Sequence, residues 1–430
     1  MVQKVSPGDK VSLLTKDGKY TGILMPSPDD SIVVIKLNNG YNIGFEKHEI
    51  RQTMLVEKFS KKEVKKEPFE PKEGLKTVSI LHTGGTIASS VDYATGAVTS
   101  KFSPEDIISM FPELKDIVNI RSRLIRNMAS DDMRFAHYNI MAQEIEKEVN
   151  NGVDGVIITQ GTDTMHYTAA ALSFILEKLP VPVIVVGSQR SSDRGSSDAA
   201  MNLVCACRLI AESEFSEVAI CMHKWMSDDS CTLIPGTNAR KMHTSRRDAF
   251  KPINAEPWAE IGYGGSVRFL RGGYRKRSEG KIRVVPINES LKIGILKARP
   301  QMFSEELKVY EGFDGLVLEG TGLGHFPINE IDEFTSEHRR ILAYIRKLAR
   351  KMPVVMAPQT IYGRLQMDVY TPGRIIQEAG VIGNHSDMTV ETTFVKLAWL
   401  LTNHKEKVKE MMMENLRGEI SPRSEIGDSF

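Results

Sequence analysis

Only four cysteines occur among 430 residues, at positions 205, 207, 221 and 231. That is too few for a disulfide-stapled secreted protein. Cys205 and Cys207 lie two apart in a stretch of helical pattern and face different directions, so they make a poor metal pair. Buried, inert thiols are the expectation. No apolar run approaches the ~20 residues that a bilayer span needs. The first residues carry no charged-then-apolar leader. A cytoplasmic protein with no membrane role is expected. Neither sign of charge is in excess: the net charge is +1, which excludes a global pull toward nucleic acid. The dinucleotide fingerprint needs three spaced glycines, and the segment from Thr83 to Ser90 lacks the third. The phosphate-loop pattern is missing too, since Gly273, Gly280 and Lys281 have the wrong spacing and Ile282 stands where a hydroxyl belongs. Neither a Gly-x-Ser-x-Gly elbow nor a paired-histidine zinc helix is present. A chain with no metal or cofactor of its own is therefore expected.

What is present is ordinary for a globular protein large enough for two or three domains: 41% hydrophobic and 26% charged residues. Residues 1–58 read as short strands, Lys10–Leu14, Tyr20–Leu24 and Ser31–Leu37, separated by turn signals at Asp17-Gly18, Pro26 to Asp30 and Asn38 to Gly40. Such spacing predicts a small β-barrel. Residues 59–75 are charged and proline-containing, a linker. From 76 to 270 the pattern becomes α/β. Strands are expected at 77–82, 153–159, 182–187 and 217–222, with helices from Met133 to Val149, Thr164 to Leu176 and Ala199 to Ile210. This predicts a parallel sheet covered on both faces. Residues 271–290 read as a connection. A second α/β unit at 291–403 has strands at Leu291–Leu296, Gly315–Glu319 and Pro353–Met356, and 404–430 reads as a charged, exposed C-terminal helix and tail.

Two segments carry candidate chemistry. Thr77–His82 runs into Thr83-Gly84-Gly85-Thr86, and Val156–Gln160 runs into Gly161-Thr162-Asp163-Thr164. Each puts a threonine hydroxyl at the carboxyl end of a buried parallel strand, where open α/β sheets build their sites. A threonine alcohol needs a base, something to orient that base, and donors for an oxyanion. Lys241, in Arg240-Lys241-Met242-His243-Thr244, offers an amine that partial desolvation can make a base, and Asp163 offers a carboxylate to orient it. Amides at the start of the helix after Asp163 offer oxyanion donors. Ser130 and Asp132 suit a substrate carboxylate and an α-ammonium group. Each residue also has a plainer reading: Asp163, Asp132 and Ser130 as helix caps, Thr86 as a turn residue, Lys241 as a solvated charge, and Tyr93 as a packed aromatic rather than a mobile residue near Thr86.

Together, Thr83-Gly84-Gly85-Thr86-Ile87-Ala88, Gly161-Thr162-Asp163-Thr164-Met165, Ser130-Asp131-Asp132-Met133 and Lys241 in its segment resemble the bacterial-type L-asparaginase/glutaminase family over about 77–403. The resemblance implies a two-domain asparaginase-like α/β fold with Thr86 as nucleophile and Thr162, Asp163 and Lys241 as the other catalytic residues. It places substrate binding on Ser130, Asp163, Asp131 and Tyr93. Asp131 stands where the family has glutamine, which implies altered side-chain specificity. A site completed across a subunit interface implies a homodimer. The added β-barrel, linker and tail (Asn415 to Ile420) resemble the layout of the D subunits of archaeal glutamyl-tRNA(Gln) amidotransferases. That likeness implies glutamine or asparagine hydrolysis, with ammonia passed to an E subunit that binds tRNA(Gln) and uses ATP and Mg, in a heterotetramer. Competing readings are a free-standing cytoplasmic L-asparaginase and a non-catalytic RNA-binding module.

Overall fold

The computed structural model describes residues 5–27, 29–37, 42–59, 70–85, 87, 89–91, 98–100, 103–192 and 196–424. The first unit is a five-stranded antiparallel sheet of Lys10–Thr15, Lys19–Met25, Ile32–Leu37, Asn42–Glu46 and Ile50–Glu57. Its spatial order is fourth, third, second, first, fifth. Tyr20, Phe45 and Ile50, from the second, fourth and fifth strands, pack on one cluster with Val11, Leu13 and Ile35 of the first and third. Side chains from all five strands converge on that core, within one small antiparallel sheet that has the fourth and fifth strands at its edges.

The second unit is an eight-stranded sheet. Five strands are parallel, in the order Asn119–Leu124, Thr77–His82, Gly155–Thr159, Val183–Val186 and Val218–His223. Alternate residues feed opposite faces: Val156 and Ile158 join one core cluster, and Ile157 joins the other. Burial on both faces is why Val156–Ile158 reads as a continuous apolar run. Helices Phe135–Asn150 and Met165–Ile175 cover one face, and helix Ala199–Glu212 covers the other. The sheet departs from the expected parallel pattern beyond Val218–His223. Ser230–Pro235, Ala259–Gly262 and Val267–Phe269 add on antiparallel. The link at 224–229 is far shorter than the dozen or so residues a crossover requires, so the chain turns back as a hairpin. All four cysteines are buried and free of disulfides on the Ala199–Glu212 side, and burial pushes the Cys207 thiol up.

The third unit is a parallel sheet of Ile293–Lys297, Gly315–Gly320 and Val354–Pro358. Its last helix, Val390–Asn403, shares a core cluster with helix Met165–Ile175, so the two α/β units are joined through apolar packing. The tail differs from the exposed charged helix expected. Among the described residues, helical structure beyond Asn403 is confined to a 3-10 turn at Lys405–Lys407 and one α-turn at Val408–Met411. Val408, Met412 and Ile420 are buried. Gly418, at φ +81°, turns the chain back so that the Glu419 carboxylate meets Lys396 inside the protein.

Among the described residues no helix is long and apolar enough to cross a membrane, and no cluster of three or more histidine, cysteine or acidic residues could hold a metal.

Candidate active site

The carboxyl ends of Thr77–His82 and Gly155–Thr159 are laced together. Both the Thr83 amide and its hydroxyl donate to the Thr159 carbonyl, each at 3.0 Å. Gly84 and Gly85 follow at φ +118° and +84°. A β-carbon on Gly84 would lie 2.4 Å from the Met128 carbonyl oxygen, and one on Gly85 would lie 2.7 Å from the Gly161 amide nitrogen. Both glycines are needed because the chain passes between two other backbones, not because they cradle a phosphate. Thr86 and Tyr93 lie outside the described residues.

Thr162, Asp163 and Lys241 come together. The Lys241 amine donates to Thr162 Oγ1 at 2.8 Å and to Asp163 Oδ1 at 2.7 Å. The lysine reaches them from a hairpin of Ala239–Lys241 with Phe250–Pro252 that lies 79 residues along the chain from Thr162. The Lys241 side chain is 9% exposed, while that of Asp163 is 68% exposed. The lysine is therefore not a solvated surface charge. Asp163 is not a cap: Thr164 precedes the helix Met165–Ile175, with no side-chain capping bond.

Ser130 locks this turn to a second loop. Its hydroxyl accepts the Asp163 N–H at 3.2 Å, and its carbonyl accepts the Thr164 hydroxyl at 2.5 Å. The Met165 N–H donates to the Thr162 carbonyl at 3.4 Å. One of the amides expected to serve as oxyanion donors, that of Met165, is thus already engaged, and the Asp163 amide before the helix is held by a residue 33 positions away in sequence. Asp131 is exposed beside Ser130, whose hydroxyl lies 3.4 Å from Asp131 Oδ1. Asp132 is exposed on the same 3-10 turn, Ser130–Asp132. Neither Ser130 nor Asp132 caps the helix Phe135–Asn150, whose cap residue is Arg134, with the His137 ring accepting the Arg134 N–H. The strand that leads into the Ser130–Asp132 turn, Asn119–Leu124, is separated from it by residues 125–129.

His82 is the nearest histidine in sequence to the first turn, and it is no base. Its ring is buried against Thr159 Oγ1 at 2.7 Å and Ser122 Oγ at 2.9 Å, and burial pushes its pKa down to about 3. The imidazole therefore stays neutral and structural at physiological pH.

Sequence reasoning missed Gly187, which follows the strand Val183–Val186. A β-carbon there would lie 2.7 Å from the Thr162 methyl, 3.1 Å from the Gln160 carbonyl oxygen and 3.1 Å from Met165 Sδ. Its place at a parallel-strand end was the available signal. We expect Gly187→Ala to push Thr162 off the lysine, lowering kcat by about 10-fold or more while destabilising the protein by about 1–3 kcal/mol. Steady-state kinetics beside denaturant unfolding check this, and unchanged kcat would show that Thr162 tolerates displacement.

Known proteins share this architecture. The model of the asparaginase N-terminal domain matches residues 77–273, that of the glutaminase/asparaginase C-terminal domain matches 292–412, and that of the GatD N-terminal domain matches 5–56. The chain is 46% identical over 428 residues to the glutamyl-tRNA(Gln) amidotransferase D subunit of Pyrococcus furiosus, covering 97% of this chain and 93% of that protein. It is 42% identical to the corresponding D subunit of Methanothermobacter thermautotrophicus, over 98% of this chain and 95% of the relative. Among solved structures, the thermostable L-asparaginase from Thermococcus kodakarensis matches at a TM-score of 0.70 with 30% identity, over 81% of this chain and all of that one. The asparaginase matches stop short of the N-terminal sheet that the amidotransferase relatives span. With that sheet in front of an asparaginase fold, the chain belongs to the family of glutamyl-tRNA(Gln) amidotransferase D subunits.

Proposed function

We propose that this chain is the amide-hydrolysing component of a tRNA-dependent amidotransferase. It would release ammonia from glutamine or asparagine, for a partner E subunit that converts Glu-tRNA(Gln) to Gln-tRNA(Gln) with ATP and Mg. The observation that carries the reading is the Lys241 amine, shielded from solvent and within 2.8 Å of the Thr162 hydroxyl and 2.7 Å of the Asp163 carboxylate. At that distance a neutral amine can take the hydroxyl proton directly.

The chemistry has two halves. The Thr86 hydroxyl attacks the amide carbonyl, the carbon–nitrogen bond breaks, and the nitrogen leaves as ammonia carrying the hydroxyl proton. Water then cleaves the ester and restores Thr86. Thr162 and Lys241 relay protons in these steps, and Asp163 fixes the ammonium form of the lysine when it holds the proton. Ser130 supports the arrangement by holding the Asp163 backbone. Asp131, exposed beside it, tunes which side-chain amide fits. Tyr93 contacts the substrate. The working unit is a homodimer of this chain within a cytoplasmic heterotetramer.

The test is ammonia release from glutamine and from asparagine, by the chain alone and with its copurified partner, with and without charged tRNA. Release stimulated by the partner and Glu-tRNA(Gln) is expected. Fast asparagine hydrolysis by the chain alone, indifferent to both, would make it a free-standing asparaginase. Tight tRNA binding with no ammonia release under any condition would make it an RNA-binding module.

A further inference from the structure

Arg240, the residue before Lys241, reaches away from the Thr162 site, as alternation along a strand requires. Its guanidinium lies 3.5 Å from Glu391 Oε1, and the same oxygen lies 3.6 Å from His166 Nε2. Glu391 is 6% exposed and stands in the first turn of helix Val390–Asn403, which belongs to the third unit. Its neighbour Thr392 donates its hydroxyl to the Thr237 carbonyl at 2.7 Å. Thr237 is four residues upstream of Lys241, so the start of this helix grips the lysine arm at two points. His166 belongs to the helix that begins directly after Thr162-Asp163, and its ring meets Phe250 edge-on at 6.4 Å. Phe250 is the strand partner of Lys241. One carboxylate therefore touches both arms whose tips must meet.

We propose that Glu391 is a positioning residue for the amidase site, holding the Lys241 arm in register with the Thr162-Asp163 arm through Arg240 and His166. A buried carboxylate is a poor choice for stability alone, because desolvation offsets much of what its partners return. Among the described residues, Glu391 Oε2 and His166 Nδ1 are both buried with no hydrogen-bond partner. Burial raises the Glu391 carboxyl pKa, yet His166 and Arg240 together hold it below the usual carboxylate value. The group thus stays charged against its surroundings. Registry is the benefit that fits: a shift of about 1 Å between catalytic groups is enough to cost about 10²-fold in rate.

The inference rests on the amidase reading, and its test separates the two. Glu391→Gln and Glu391→Asp are compared with the wild-type chain in the intact complex. The first readout is kcat and KM for ammonia release. The second is the rate at which acetic anhydride acetylates Lys241, read by peptide mass spectrometry. Glu391→Gln is expected to lose about 10-fold or more in kcat with KM within about twofold, and to change the Lys241 acetylation rate at unchanged melting temperature. Glu391→Asp should recover part of both. Wild-type kcat together with wild-type Lys241 labelling in Glu391→Gln would overturn the proposal. If the wild-type complex releases no ammonia, the amidase reading fails on its own. The acetylation rates then decide whether Glu391 positions the lysine.

Discussion

Lys241→Met is expected to lower kcat for ammonia release by about 10²- to 10⁴-fold, the range for removing a positioned general acid–base group, with little change in KM. Methionine keeps most of the aliphatic stem that fills a site only 9% exposed, so packing is largely retained. What disappears is the amine between Thr162 Oγ1 and Asp163 Oδ1. The stranded Asp163 carboxylate is 68% exposed, so water solvates it and its loss of a partner costs about 1 kcal/mol or less. Activity should therefore collapse while thermal stability barely moves. Kinetics and calorimetry on the same preparation check this. A parallel loss of both would mean that the lysine is a structural prop.

The second large effect concerns stability. Lys396 and Glu419 are both fully buried, with the amine 2.7 Å from Glu419 Oε1. The ammonium also donates to the Glu414 carbonyl at 2.5 Å, and the carboxylate accepts the Leu416 and Arg417 amides at 3.0 and 2.5 Å. The pair thus holds the irregular tail against the helix Val390–Asn403. Burial pushes the Lys396 pKa down, and Glu419 acts in the opposite sense. Lys396→Met leaves an uncompensated carboxylate in the interior, which costs about 3–5 kcal/mol. Adding Glu419→Gln to Lys396→Met should recover part of that loss, since it removes the buried charge while the amide oxygen still accepts one of the two backbone N–H groups. Denaturant unfolding of the single and double variants measures it. A loss below about 1 kcal/mol in Lys396→Met would mean that the tail reorganises freely.

Much of this protein is legible in its sequence where one kind of force dominates. Strands such as Gly155–Thr159 are buried on both faces, so their apolar runs announce them. The threonine turns announce themselves because strand ends build sites. The antiparallel edge was missed because a six-residue hairpin link at 224–229 carries no periodic signal of direction. The tail was misread because charge usually marks a solvated face, whereas Glu419 and Lys396 satisfy each other in the interior. Lys241 is legible as a candidate base from its chemistry, and the family resemblance is what sets it beside Thr162 and Asp163. Its own segment reads as a surface loop, and the 79-residue separation from Thr162 is closed by the fold alone. Gly187 and Glu391 are not legible in the sequence, because their importance lies in what packs against them. The engagement of the Asp163 amide is hidden for the complementary reason, since Ser130 arrives from a distant loop to take it.

The most direct measurement is a double-mutant cycle on kcat with Thr162→Ala, Lys241→Met and the combination. If the hydroxyl and the amine act as one relay, the double variant should be no slower than the slower single variant within about threefold, so that the two losses fail to multiply. Losses that multiply, or a single variant that retains full activity, would contradict the shared role proposed for these two groups, which lie 2.8 Å apart.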